Sequence, residues 1–214
     1  MNSDSKGLVI TAGRCVHGGA AGGWYQNWVF MPGYRYVAGL ASKPSGTFTA
    51  RWFGADSDWV ESSKPSADFA MVETEPNARG RLVDVVGGMG LSWGDPLPQA
   101  VTVVGYAWSC LGAMCWQEQS QCSGSPQDGG QSMMTLVCEY EADATGSPWV
   151  TAFDGQLGYI DGDVSTLSDD GTDASPYYGD PVYDLYRTTR PDGSPRPGLT
   201  QAGPGPGRAT AMPA

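Results

Sequence analysis

The sequence has one histidine, His17, and little positive charge: 12 Lys and Arg against 23 Asp and Glu, a formal net charge of -11. That field repels nucleic acid and anionic lipid, and no cluster of Lys or Arg overrides it, so neither is expected as a partner. No apolar run approaches membrane-spanning length, and Met1 to Gly7 holds no apolar signal core, so no export signal is expected in this chain. No segment sustains a helical period. No pair among the five cysteines has CxxC spacing, and His17 cannot complete a zinc site with them. No metal and no cofactor are expected. Disulfides, and with them an oxidising compartment, account better for the cysteines.

What is abundant points to an all-β chain. Thirty-one glycines and 16 prolines suit a turn-rich fold, and 40% hydrophobic residues suffice for a core. Strand-like runs cover Gly7–Val16, Trp28–Phe30, Thr47–Phe53, Phe69–Val72, Leu82–Val86, Ala100–Tyr106, Met133–Tyr140, Pro148–Phe153 and Leu157–Val164. The short spacers between them are filled by Gly, Pro, Ser and Asp, as in a sandwich or barrel. The best helix candidate is Asp180–Tyr186, with Asp180 as cap and Pro181 in the first helical position. Residues 108–130, rich in Cys, Gln, Ser and Gly, are predicted to form a long loop pinned by disulfides. Residues 188–214 are too polar and proline-rich to offset their ordering entropy and are predicted to be a disordered tail. The Asp-rich stretch Asp161 to Asp173 reads as a solvated acidic loop rather than a calcium site.

Three segments occur in an informative order: Val9-Ile10-Thr11-Ala12-Gly13-Arg14-Cys15-Val16, Ser66-Ala67-Asp68-Phe69-Ala70-Met71-Val72 and Asp143-Ala144-Thr145-Gly146-Ser147-Pro148-Trp149. Together they resemble the three catalytic segments of chymotrypsin-like (trypsin-like) serine peptidases, especially secreted bacterial ones of the actinobacterial type. Gly105-Tyr106 and Gly158-Tyr159-Ile160 resemble parts of that family's second barrel. The resemblance implies a chymotrypsin-like double β-barrel of two Greek-key barrels. Residues 1–95 would form the first barrel and 96–187 the second.

The family's reaction needs a serine nucleophile, a histidine base and a buried aspartate that orients it. Here Arg14 stands at the histidine position and Thr145 at the serine position; only Asp68 matches. A guanidinium stays protonated at any working pH and accepts no proton. An ion pair between Arg14 and Asp68 is expected to fill the space of the imidazole. Thr145 has no evident base to activate it. The oxyanion-hole positions are Asp143 and Thr145; a carboxylate at Asp143, beside Glu139 and Glu141, would repel the developing charge. Glu139 hints weakly at a basic substrate preference. His17, three residues past Arg14, reads as an ordinary surface or turn histidine rather than a substitute base.

In the resembled family the cysteine of the first segment bridges to an earlier one. Only fourteen residues precede Cys15 and none is cysteine, so Cys15 is expected to be unpaired and the first barrel to lack its opening strands. Such a barrel would expose a sheet edge and part of its core. A truncated N-terminus, with the true start upstream or the front end lost, is expected in preference to the alternative that Cys15 is simply a buried free thiol. Four cysteines permit three pairings; the resemblance favours Cys122–Cys138, with Cys110–Cys115 closing a local loop.

The leading expectation is therefore a catalytically inactive serine peptidase homologue, monomeric and secreted by resemblance, retaining a cleft for a protein or peptide ligand. The alternatives are an active endopeptidase using Thr145 by an altered mechanism, and a secreted β-domain binding sugar or protein through Trp24, Tyr25, Trp28 and Trp52.

Overall fold

The computed structural model describes residues 1–106, 108–111, 114–138, 144–168, 170–188 and 201–202. In chain order the first lobe comprises β1 (Leu8–Thr11), β2 (Val29–Phe30), β3 (Arg35–Val37), β4 (Leu40–Ser42), β5 (Phe48–Ala55), helix α1 (Ser57–Ser62), β6 (Ala70–Thr74) and helix α2 (Leu82–Val86). The second comprises β7 (Gly90–Leu91), β8 (Val101–Gly105), β9 (Trp108–Leu111), β10 (Met114–Gln117), β11 (Ser120–Gly124), β12 (Gln127–Gly130), β13 (Met133–Val137), β14 (Pro148–Thr151), β15 (Tyr159–Asp163), β16 (Thr166–Leu167) and β17 (Thr172–Pro176). Helix α3 (Asp180–Thr188) and β18 (Gln201–Ala202) follow.

The first sheet runs β1-β6-β5-β18 with β2 on β5, so β1 is an edge strand. The second lobe has two sheets, β11-β8-β14-β15-β7 and β12-β13-β17-β16; a fourth, β4-β3-β10-β9, joins hairpins from both lobes. Every pairing is antiparallel except β15 with β7. One core gathers Leu8, Phe48, Phe53, Phe69, Met71 and Val72 with Val182 and Leu185 of α3. The other packs Val101, Val103, Met134 and Leu136 around Trp149. Burying each of these large side chains contributes about 1.5–3 kcal/mol.

Several expectations change. Leu82–Val86 is a helix, not a strand. A five-residue run with Asp84 among four apolar residues has no decisive period, and the helix is held by Asp84, which takes ion pairs from Lys6 at 2.6 Å and Arg81 at 2.8 Å. Residues 108–130 form β9 to β12 instead of an irregular loop. Their strands are mostly solvent-exposed, so polar side chains are tolerated while the backbone supplies the pairing. The Cys110–Cys115 disulfide joins directly opposed residues of β9 and β10, and Cys122–Cys138 joins β11 to the end of β13. Both are the expected pairs. Asp161, Asp163 and Asp173 are buried on β15 and β17 rather than solvated in a loop. Helix α3 extends to Thr188, and the carbonyl of Gly179, one residue before Asp180, accepts from Val182 and Tyr183. Within the C-terminal segment, Gln201 and Ala202 pair with Gly54 and Phe53 of β5; the rest of that predicted tail lies outside the described residues.

Candidate active site

The first of the three motif segments is β1 followed by a 3-10 turn, Gly13–Cys15. The turn lifts Arg14 off the sheet and aims it at Asp68, which ends a second 3-10 turn just before β6. Since β1 pairs with β6, with Thr11 opposite Ala70, the two turns meet at the same end of the sheet. Gly13 is required there by space: a Cβ would lie 2.8 Å from the Trp59 ring and 3.1 Å from Asp68 Oδ1.

Asp68 is completely buried and accepts three hydrogen bonds. The Arg14 backbone N–H donates to Oδ1 at 2.7 Å, and Arg14 Nε donates to Oδ2 at 2.6 Å. Ser165 Oγ donates to Oδ2 at 2.6 Å, and Arg14 Nη2 reaches Ser165 Oγ at 3.1 Å. The expected Arg14–Asp68 ion pair is therefore present, with its open side about one-third exposed. The guanidinium also lies 5.4 Å from the centre of the Trp59 ring, a cation–π contact. Stacking and a planar fork of donors suit arginine, and neither ring nitrogen of a histidine could make this set.

Thr145 is exposed on a tight turn. The Ser147 N–H donates to the Ala144 carbonyl at 3.0 Å, and Gly146 takes a φ of +84°. A Cβ on Gly146 would collide with Thr11 Oγ1, so this turn rests against the end of β1. The turn is pinned to the second lobe by Gly146 N–H to Val164 C=O at 2.7 Å and Val164 N–H to Ser147 C=O at 2.9 Å. Cys15, a free thiol, lies between: its Sγ is 3.9 Å from the Thr145 carbonyl. Burial pushes the Cys15 thiol up, with nearby Asp163 and Asp68 adding to it, so it is not a ready thiolate. The segments of Arg14, Asp68 and Thr145 thus converge as expected, while Asp143, Glu139 and Glu141 lie outside the described residues.

Sequence reasoning missed three residues. Ser165 is one, lying five positions past Ile160 with no motif around it. Trp59 caps the guanidinium, and its Nε1 donates to the His17 carbonyl at 3.0 Å. Asp163 is fully buried beneath the pair and accepts from Tyr178 Oη at 2.9 Å. Burial, reinforced by the Asp68 charge, pushes the Asp163 carboxyl well up.

His17 is a turn residue but not a surface one. It is 5% exposed, packed edge-on against Trp24 at 4.9 Å, and its Nδ1 accepts the Gly19 N–H at 3.1 Å. Burial lowers its pKa. It serves the core. The aromatic-surface reading loses its residues too. Trp52 is buried, and Trp24 and Trp28 pack on Phe53, which leaves only Tyr25 exposed among the four. Among the described residues no group of three or more His, Cys, Asp or Glu could hold a metal ion.

No family model and no curated protein matches the chain. Solved structures do. The protease Anisep from Arthrobacter nicotinovorans is 23% identical over 88% of this chain and 85% of its own, with a TM-score of 0.75. A thermostable serine protease, AL20, from an extremophilic microorganism is 24% identical over 87% and 85%, with a TM-score of 0.77. A Glu endopeptidase is 16% identical over 85% and 80%, with a TM-score of 0.68. These structures carry the two-barrel architecture that the sequence motifs resemble. The chain therefore has the chymotrypsin-like double β-barrel fold of bacterial trypsin-like serine proteases.

Proposed function

We propose that this chain is a non-hydrolytic serine peptidase homologue, secreted to an oxidising compartment, whose cleft retains peptide binding. The observation that carries the reading is Arg14. Its guanidinium fills the space beside Asp68 where the fold's mechanism needs a neutral proton acceptor, and an arginine cannot be one. Thr145, with no base beside it among the described residues, stays a weak neutral hydroxyl. Loss of a working nucleophile–base pair lowers turnover by about a millionfold, which leaves nothing measurable in an ordinary assay. The two disulfides support an oxidising compartment.

The test compares hydrolysis of labelled casein and reaction with a serine-directed phosphonate for the natural chain and its Arg14→His, Thr145→Ser double variant. The natural chain is expected to be silent in both. Recovery of phosphonate labelling in the double variant would show that only the triad has decayed. Casein cleavage by the natural chain that survives repurification and disappears in Thr145→Ala would refute the proposal.

A further inference from the structure

The sheet β4-β3-β10-β9 joins a hairpin from each lobe, through Trp116 opposite Val37 and Gln117 opposite Tyr36. Directly opposed residues of antiparallel strands share a face, as do residues two apart on one strand. The registers therefore put Leu40, Val37 and Trp116 in one row, with Met114 and Leu111 in the next row of the same face. The other face carries Tyr36 stacked on Trp108 at 5.3 Å, the Cys110–Cys115 disulfide and Gln117, whose Nε2 donates to the Tyr106 carbonyl at 2.9 Å. Apolar side chains on the first face meet water: Leu40 is 76% exposed, Val37 43%, Met114 62% and Leu111 78%. Trp116, between them, is half-buried. Arg35, in the row beyond Val37, is the only charged residue in the four strands, although the chain holds 23 Asp and Glu.

Covering these five side chains would remove roughly 400–500 Å² of apolar surface from water in each copy, the size of patch that marks a contact site. With a polar rim, that reaches the ~800 Å² per partner of a specific dimer. An open sheet face two rows deep offers a small molecule no concavity. A basic partner drawn to this acidic chain would find no carboxylate on the four strands to pair with. An identical uncharged face does match: two sheets stack about 10 Å apart with their apolar rows interdigitated. The remote charges of the two copies are screened over about 8 Å at physiological salt. We propose that this face pairs with the same face of a second copy, giving a twofold-symmetric dimer with a β-sandwich across its interface, in place of the monomer expected from the sequence. The dimer would brace the hairpins of both lobes, whose strands meet through two opposed pairs.

The test is sedimentation velocity of the full chain from about 1 to about 200 µM, with a non-reducing gel to detect covalent pairs. A reversible dimer is expected. It should weaken as salt is lowered from about 0.5 to about 0.05 M, because both copies carry a charge of -11. Leu40→Asp and Leu111→Asp, each on an exposed side chain, should weaken dimerisation by about tenfold or more while far-UV circular dichroism is kept. Val137→Asp, on a side chain 70% exposed outside this sheet, should leave the dimer unchanged. A dimer that both variants keep would overturn the proposal, as would a pair held covalently through the free thiol of Cys15. A monomer at every concentration would overturn it too, and partition of that monomer onto phosphatidylcholine vesicles would then assign the face to lipid.

Discussion

Replacing Arg14 by leucine removes one of the three donors to Asp68 and, among the described residues, its only ion-pair partner. The carboxylate stays fully buried, keeping the Arg14 backbone N–H and Ser165 Oγ. A charge-assisted hydrogen bond contributes about 1.5–3 kcal/mol, and breaking a fully buried pair costs about 3–5 kcal/mol. The guanidinium is about one-third exposed, so solvent screening puts the cost nearer the lower range, about 2 kcal/mol. For a domain of this size that lowers the melting temperature by about 4–8 °C. Asp68→Asn alone should cost a similar amount, since an amide cannot accept all three bonds. The double variant should then be less destabilised than the sum of the two, with a coupling of about 1–2 kcal/mol. Differential scanning calorimetry on the four proteins measures it. A melting temperature unchanged in Arg14→Leu, or strict additivity in the cycle, would refute the claim that the pair fills the site as a unit.

Burial and the nearby Asp95 charge push Asp161 up to about 7. The folded value lies above the unfolded one, so this group weakens the fold progressively as pH rises from about 4 to about 7. Asp161→Asn should match the parent near pH 4 and exceed it by up to about 4 kcal/mol near pH 8, read as a widening gap in melting temperature. The Cys122→Ala, Cys138→Ala variant opens a loop of sequence separation 16 and should lose about 3 kcal/mol in a denaturant titration. Gly146→Ala forces a Cβ into Thr11 Oγ1 at a left-handed φ of +84° and should cost about 1–3 kcal/mol by the same measurement.

How much was legible in advance differed by kind of feature. The positions of Arg14, Asp68 and Thr145 were readable because each sits in a short local motif, and the guanidinium's inability to accept a proton follows from chemistry alone. The two disulfides were also foreseen, Cys122–Cys138 through resemblance and Cys110–Cys115 as the closure of a short local loop. Ser165 and Asp163 were not, because nothing local marks them: Ser165 lies 97 positions from Asp68, its hydrogen-bond partner. Composition misled where exposure mattered. The polar stretch before Gly130 read as a loop, yet its backbone pairs into four strands whose faces meet water. The acidic stretch read as solvated, yet three of its aspartates are buried by strand pairing and carry raised pKa values.

By itself, then, the sequence determined the fold class, the order of the three motif segments and the presence of an arginine, which accepts no proton, at position 14, since these depend on local pattern and residue chemistry. Only the tertiary structure decided that Arg14 closes on Asp68 through Ser165 and Trp59, and that His17 is buried against Trp24. Those outcomes depend on which distant strands meet and on how much water they exclude, and no local pattern encodes either.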